Sequence, residues 1–304
     1  MQSNSRIKLS KEVTKAKADG IPVVCLESTV FSQLGLPSPS NADALELCMS
    51  TLRNNDVVPA VSAVMDDGQL RLGLEESEHE RIFTATNKVS VRDLPVAVGK
   101  GLDVGVTTVS ASLAIADAVG EKVFCTGGIG GVHRGAHITG DISADLHALS
   151  RFNVLCVSAG AKAFLDLSVT LEYLETLGVP VLGWQTDEFP AFYLRKSGLG
   201  IPRVDSVEEV ASIFETISSL GHRTGLLLNA PIPLEAELDS EMIWSLIENS
   251  IEDCDRQGIS GQAVTPFILE QLANATKGES IPANLALLQN NAEVASRIAR
   301  VLYS

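Results

Sequence analysis

The stretch Val154-Leu-Cys-Val-Ser-Ala-Gly160-Ala-Lys162-Ala-Phe-Leu-Asp166 opens on four apolar residues in a row, passes through small residues and reaches a lysine. A strand that is apolar at every position has no face to give to water. It predicts a strand covered by helices on both sides. The same kind of run recurs at residues 23–26, 60–65, 122–125, 179–183 and 225–229, bounded mostly by Gly, Pro or Asp. Helical patterns lie between these runs. Residues 41–54 follow two prolines. Ser206-Val-Glu-Glu209 is a capping-box pattern, in which the Ser hydroxyl takes an orphan amide and the Glu reaches back. Val207, Val210, Ala211, Phe214 and Ile217 then trace a buried helical stripe. Residues 283–302 read as a closing amphipathic helix. No repeat, low-complexity tract or linker interrupts this order. The expected fold is α/β: one α/β/α layered domain over residues 1–304, with a largely parallel or mixed central sheet. The glycine-rich segment Thr126-Gly-Gly-Ile-Gly-Gly-Val-His-Arg134-Gly is not G-x-G-x-x-G, so a Rossmann assignment is not made.

The bulk properties narrow the partners. A net charge of −15 and a pI near 4.7 repel a phosphodiester backbone, which argues against nucleic acid. A small phosphorylated substrate is still accommodated where Lys, Arg and backbone amides concentrate locally. Five cysteines occur without a C-x-x-C pair, and Cys25, Cys125 and Cys156 sit in strand-like runs. They read as small buried hydrophobes in a reducing compartment. The first residues lack an apolar signal core, and no apolar run approaches the ~20 residues of a membrane span. A cytoplasmic protein with no membrane partner is expected.

Five segments have the residue types for chemistry. Lys162, at a strand end and before a helix, sits among Ala, Gly and Phe. Desolvation there would free its amine for Schiff-base formation, although a surface lysine fits the same pattern. The glycines after Thr126 suit either a long turn or a nest of amides for an anion, with His133 and Arg134 beside it. Asp141, Ser143 and Asp145 alternate so that they can hold a hard cation or cap a helix equally well. Glu27 follows a strand and is either a solvated loop residue or a general acid with a raised pKa. Lys88 and the pair Thr107-Thr108 can ground a phosphate.

Together these segments closely resemble the pseudouridine-5′-phosphate glycosidase family, also called indigoidine synthase A-like. The matching stretches run in order from residue 26 to 292: LEST, TNKVSVRDLP, TTV, VFCTGGIGGVHRGA, DISADL, SAGAK, TLEYLETLGVPV, FPAF, NAPIP, TPF and NNA. The resemblance implies an α/β/α fold, a homotrimer and a divalent metal, Mn2+ ahead of Mg2+. It implies that Lys162 attacks C1 of a ring-opened ribose 5-phosphate, that Glu27 donates the proton, and that Asp141 ligates the metal largely through waters. Lys88, Thr108, Ser143, Ala144 and Asp145 are implied at the sugar phosphate, and Asn284 near the nucleobase. The substrates implied are a sugar phosphate and an aromatic aglycone. Intact Glu27, Asp141 and Lys162 favour an enzyme over a sugar-phosphate sensor sharing the fold.

The chain departs from the family pattern at five positions. Gln33 stands for a histidine, Ser38 for an aromatic residue, Ser40 for a glutamine, Val91 for an arginine and Gly140 for a phenylalanine. Loss of bulk and polarity at these positions points to a remodelled aglycone half, and so to an alternative C-glycosynthase with a larger aromatic acceptor.

Overall fold

The computed structural model describes residues 6–259, 264–276 and 278–304. The first half of the chain forms β1 (Ile7–Leu9), α1 (Lys11–Asp19), β2 (Val23–Leu26), α2 (Ser40–Asn54), β3 (Val58–Met65), β4 (Gln69–Leu72), α3 (Glu76–Phe83), β5 (Lys88–Val89), α4 (Leu94–Gly99), β6 (Val104–Thr107), α5 (Val109–Val119) and β7 (Val123–Cys125). The second half adds α6 (Ala136–Thr139), α7 (Ala144–Arg151), β8 (Leu155–Ser158), α8 (Leu167–Thr176), β9 (Val181–Trp184), β10 (Arg203–Val204), α9 (Val207–Ser219), β11 (Leu226–Asn229), α10 (Ser240–Gln257), α11 (Val264–Ala275) and α12 (Ser280–Leu302).

The six expected strands are all present, within two residues at each end. They form the parallel part of the sheet, in the order β3-β2-β7-β8-β11-β9, with β10 at the edge. Every residue of β2, β7, β8 and β11 is buried, as strands covered on both faces require. Helix α12 lies on β7 and β8 together with α2 and α9, while α5 packs with α7 and against β2, β3 and β6. The sheet becomes mixed at β3. Its first half pairs with β2 in parallel, and its second half pairs with β4 and β6 antiparallel. The short strands β1, β4, β5, β6 and β10 were not expected, because two to four partly polar residues carry no period of their own.

Two helix expectations need adjustment. Ser206 does cap α9 by accepting from the Glu209 amide, but Glu209 reaches back one residue further, to the Asp205 amide at 3.1 Å. Helix α12 starts at Ser280 rather than 283, with Pro282 in its first turn, where no intrahelical amide is needed. Its far end is pinned where Tyr303 and Lys17 both bind the buried Glu121 carboxylate. Cys25, Cys48, Cys125 and Cys156 are free and buried, and Cys254 is buried. Among the described residues no helix is long and apolar enough to cross a membrane.

Parallel strands deliver their carboxyl ends to one edge of a sheet, which is where ligands bind in such folds. Glu27, Thr126 and the 159–162 segment leave that edge from β2, β7 and β8. Thr108, leaving β6, is drawn to the same place because the Ser28 and Thr29 amides donate to the Thr107 carbonyl.

Candidate active site

Glu27 is 8% exposed. Its carboxyl group accepts the hydroxyl proton of Thr126. Beneath it, four buried hydroxyls, Ser28, Ser62, Thr107 and Ser112, bond to one another across β2, β3, β6 and α5. Thr107 donates to the Ser62 carbonyl at 2.7 Å and is fully buried. It braces the floor of the site and lines neither chamber, whereas its neighbour Thr108 lines the polar one. Burial raises the Glu27 pKa from 4.5 to about 7, against the opposing pull of the Thr126 hydroxyl and of Lys162. Near neutral pH this side chain can both give and take a proton.

Lys162 stands on a turn rather than at a helix start, since α8 begins only at Leu167, capped by Asp166. The turn is tightly built. Gly160 has φ +80° and lies under the Pro190 carbonyl, which leaves no room for a Cβ. Ala161 bridges to Ile129, and the Lys162 amide donates to the Ile129 carbonyl at 3.3 Å. Burial lowers the Lys162 pKa, and the nearby Lys88 lowers it further, while Glu27 and Asp145 oppose them. A larger fraction of neutral, nucleophilic amine results.

Two adjoining chambers, of about 170 and 370 Å3, share Glu27, Thr29, Lys88, Gly128 and Lys162. The larger one is polar. Thr108 and Ser143, the N-caps of α5 and α7, both line it, with Ala144, Ser90, Arg92 and His133. Two helix N-termini with Lys88 and Arg92 make a receptor for a dianion. Asp145 works differently from expectation. Its carboxylate accepts the Ser110 amide at 3.0 Å and the Gly130 amide at 2.9 Å, tying the glycine loop to the start of α5. It shapes the anion receptor through backbone. Arg134 is exposed and lines neither chamber.

The smaller chamber is mostly apolar, with Val30, Leu34 and Phe192 in its wall and Asn284 beside them. Phe192 holds φ +61°, an uncommon angle for a bulky residue, fixed by its amide on the Ala159 carbonyl. Its ring lies so close to Gly128 that a Cβ there would approach to 2.5 Å. Asn284 is 5% exposed, and its Oδ1 is buried without a partner. Val30 and Leu34 carried no sequence signal beyond hydrophobicity, and Phe192 lay in the quoted stretch FPAF but was not singled out. Ser90 and Arg92 lay in a quoted motif but were not singled out.

None of the five departures lines this chamber itself. Ser38 and Gly140 are exposed, Ser40 and Val91 are half-buried, and none of the four lines either chamber. Gln33 is exposed, with its amide on the Thr84 carbonyl. Of the five, only Gln33 stands next to the apolar chamber: it lines a further cavity of about 370 Å3 that shares Leu34, Gly35 and Asn284 with it.

Among the described residues no cluster of three His, Cys, Asp or Glu is arranged to hold a metal. Asp93 is occupied by the Ser90 amide and hydroxyl, and Asp145 by two amides. Asp141 is half-buried at the wall of the polar chamber, 3.9 Å from His133 Nδ1. Burial lowers the His133 pKa, with Asp141 opposing, so the imidazole is a weak counter-charge. A lone carboxylate beside a roomy polar chamber suits a hard cation that keeps most of its waters.

The model of the family described as indigoidine synthase A like protein matches residues 12–301. The pseudouridine-5′-phosphate glycosidase of Caldanaerobacter subterraneus subsp. tengcongensis is 49% identical over 299 residues, 97% of this chain and 96% of that one. The crystal structure of the prealnumycin C-glycosynthase AlnA, in complex with ribulose 5-phosphate, superimposes with a TM-score of 0.90 at 34% identity, over 99% of this chain and 98% of that one. An indigoidine synthase A-like protein from Thermotoga maritima gives a TM-score of 0.88 at 36% identity, covering 98% and 97%.

Proposed function

The chain belongs to the indigoidine synthase A-like family, and we propose that it breaks, or in reverse makes, the carbon–carbon bond between C1 of ribose 5-phosphate and uracil in pseudouridine 5′-phosphate. One observation carries the reading. A neutral-leaning amine, Lys162, and a protonatable carboxyl, Glu27, share a wall between an anion receptor and a small apolar chamber. The phosphate lies in the polar chamber against Lys88, Thr108 and the α7 N-terminus. The uracil lies in the other, against Phe192 and Asn284.

A carbon leaving group cannot be helped off by protonating a nitrogen, so the sugar must supply the electron sink. Glu27 protonates the ring oxygen as its bond to C1 breaks, and the Lys162 amine bonds to C1. The C1–uracil bond then breaks with its electron pair passing to the uracil carbon, which takes a proton. C1 is left as an iminium on Lys162, and water releases it as the aldehyde of ribose 5-phosphate. Synthesis is the same path reversed.

Asp141 is the residue that would hold a divalent cation, Mn2+ or Mg2+. Such an ion supplies positive charge beside the sugar phosphate. Asp141→Ala is expected to weaken Mn2+ binding, measured by calorimetry, by about 10–100-fold, the loss typical of damaged metal sites. Wild-type Mn2+ affinity in the variant would remove Asp141 from this role. The homotrimer of the family is part of the proposal. Ile138, 82% exposed between His133 and Asp141, is an apolar side chain for a neighbouring subunit to cover. Buried free thiols suit the reducing cytoplasm.

The test is product analysis in both directions, with pseudouridine 5′-phosphate alone and with ribose 5-phosphate plus uracil. Turnover is expected in both. Inertness toward both, with joining of ribose 5-phosphate to a bulkier phenol or quinone, would transfer the protein to C-glycoside synthesis.

A further inference from the structure

Helix α12 meets the site at two positions two turns apart. Asn284 lines the apolar chamber, and Asn291, fully buried, lies under the turn that follows β7. Asn291 Nδ2 donates to the Thr126 carbonyl at 2.8 Å and to the Gly127 carbonyl at 3.2 Å. Leu287 and Leu288, between the two asparagines, press on the same turn, and a Cβ on Gly127 would come within 3.3 and 3.4 Å of them. The Asn291 Oδ1 is buried without a partner. An orphaned buried acceptor is destabilising, so this side chain is held for what its donor does.

In a trans peptide the carbonyl and the following N–H point in opposite directions. Drawing the Thr126 and Gly127 carbonyls toward α12 therefore turns the Gly127 and Gly128 amides away from it. Both glycines are buried in the wall of the apolar chamber, and among the described residues neither amide has an acceptor. Buried backbone donors are almost always paired. These two are left for an oxygen of the ligand. The same turn carries the Thr126 hydroxyl that bonds to Glu27.

We propose that Asn291 is a positioning residue for the reaction, fixing the turn from Thr126 to Gly128 so that one hydroxyl holds Glu27 and two amides face an oxygen of the aglycone or the opened sugar. The inference rests on the function proposed above, and its test separates the two. Asn291→Ser shortens the side chain so that its hydroxyl falls short of the two carbonyls, and Asn291→Leu keeps the bulk without a donor. Two variants are used because either alone can fail to fold. The Glu27 carboxyl is titrated by 13C NMR, against Glu27→Gln as reference, which needs no turnover. Its pKa is expected to rise in both variants, because the Thr126 hydroxyl no longer holds the ionised form. With pseudouridine 5′-phosphate, kcat is expected to fall about 10²-fold, as for a small misplacement of reacting groups, with little change in KM. In a Thr126→Val background the further loss from Asn291→Ser is expected to be clearly smaller than in wild type. Asn290→Ala, which removes a donor to the Pro231 carbonyl on the same helix, is expected to leave the titration in place. A wild-type Glu27 titration in folded Asn291 variants, or losses that simply multiply with Thr126→Val, would overturn the proposal. An inactive wild type with a shifted titration would instead overturn the substrate.

Discussion

Lys162→Ala lowers kcat by about 10⁴-fold or more, the scale on which removing a catalytic nucleophile acts, and abolishes the adduct that borohydride traps with ribose 5-phosphate. The reason is chemical. An iminium needs an amine, and of the two amines on the wall shared by both chambers Lys162 is half-buried, with its charged form disfavoured by burial, while Lys88 is exposed. Lys162→Arg is expected to be equally inactive, because a guanidinium restores the charge but stays protonated and does not attack C1. Neither change should lower the melting temperature much, since Lys162 gives no side-chain hydrogen bond that holds the fold together and burial disfavours its charged form. Intact-mass and peptide mapping after borohydride reduction decide the matter. A wild-type adduct at another lysine, or none at all, would defeat the Schiff-base mechanism.

The second large effect belongs to Glu27. Glu27→Gln removes the proton donor and is expected to cost about 10²–10⁴-fold in kcat, the usual range for a general acid–base group. Binding of ribose 5-phosphate should change far less, because the phosphate receptor is built from α5, α7 and Lys88. The same substitution should stabilise the protein at high pH. The folded carboxyl titrates at about 7 against 4.5 in the unfolded chain. The folded state therefore holds its proton longer, and stability falls as pH rises from 4.5 to 7, then levels off. Above pH 7 the penalty amounts to about 3 kcal/mol. Glu27→Gln escapes it, so the variant should melt higher than wild type at pH 8 and match it near pH 4.5. Melting curves at the two pH values test this, and equal melting at pH 8 would show that Glu27 is not strained by burial. In wild type, cleavage should decline above about pH 7 as Glu27 loses its proton.

Much of the site was legible because its chemistry sits where short apolar runs end. Glu27, Thr126 and Lys162 each follow such a run, and a charged or polar side chain forced against apolar neighbours is conspicuous in one dimension. The roles of Thr107 and Asp145 were not legible. Both are polar residues in the right motifs, yet Thr107 is spent on Ser62, 45 residues away, and Asp145 on Ser110 and Gly130. Whether a polar group touches the ligand or braces the groups that do depends on which partner arrives first within about 3 Å. Among the departures, Gln33 lines a cavity next to the apolar chamber, while Ser38, Ser40, Val91 and Gly140 line neither chamber, a distinction the residue types alone do not carry. A change of residue type is visible in sequence, but the direction in which the residue points is not.

What the sequence by itself determined was the layered α/β fold and its six buried strands, because burial on two faces is written in local composition, while the pairing of Lys162 with Glu27 came from motifs shared with a family rather than from composition. Tertiary structure alone decided that the sheet turns mixed at β3, that the cavity divides into a polar and an apolar chamber, and that Asn291 reaches a turn 165 residues earlier in the chain. These depend on strand order and on helices crossing the sheet, and contacts between distant segments leave no periodic trace in the segments themselves.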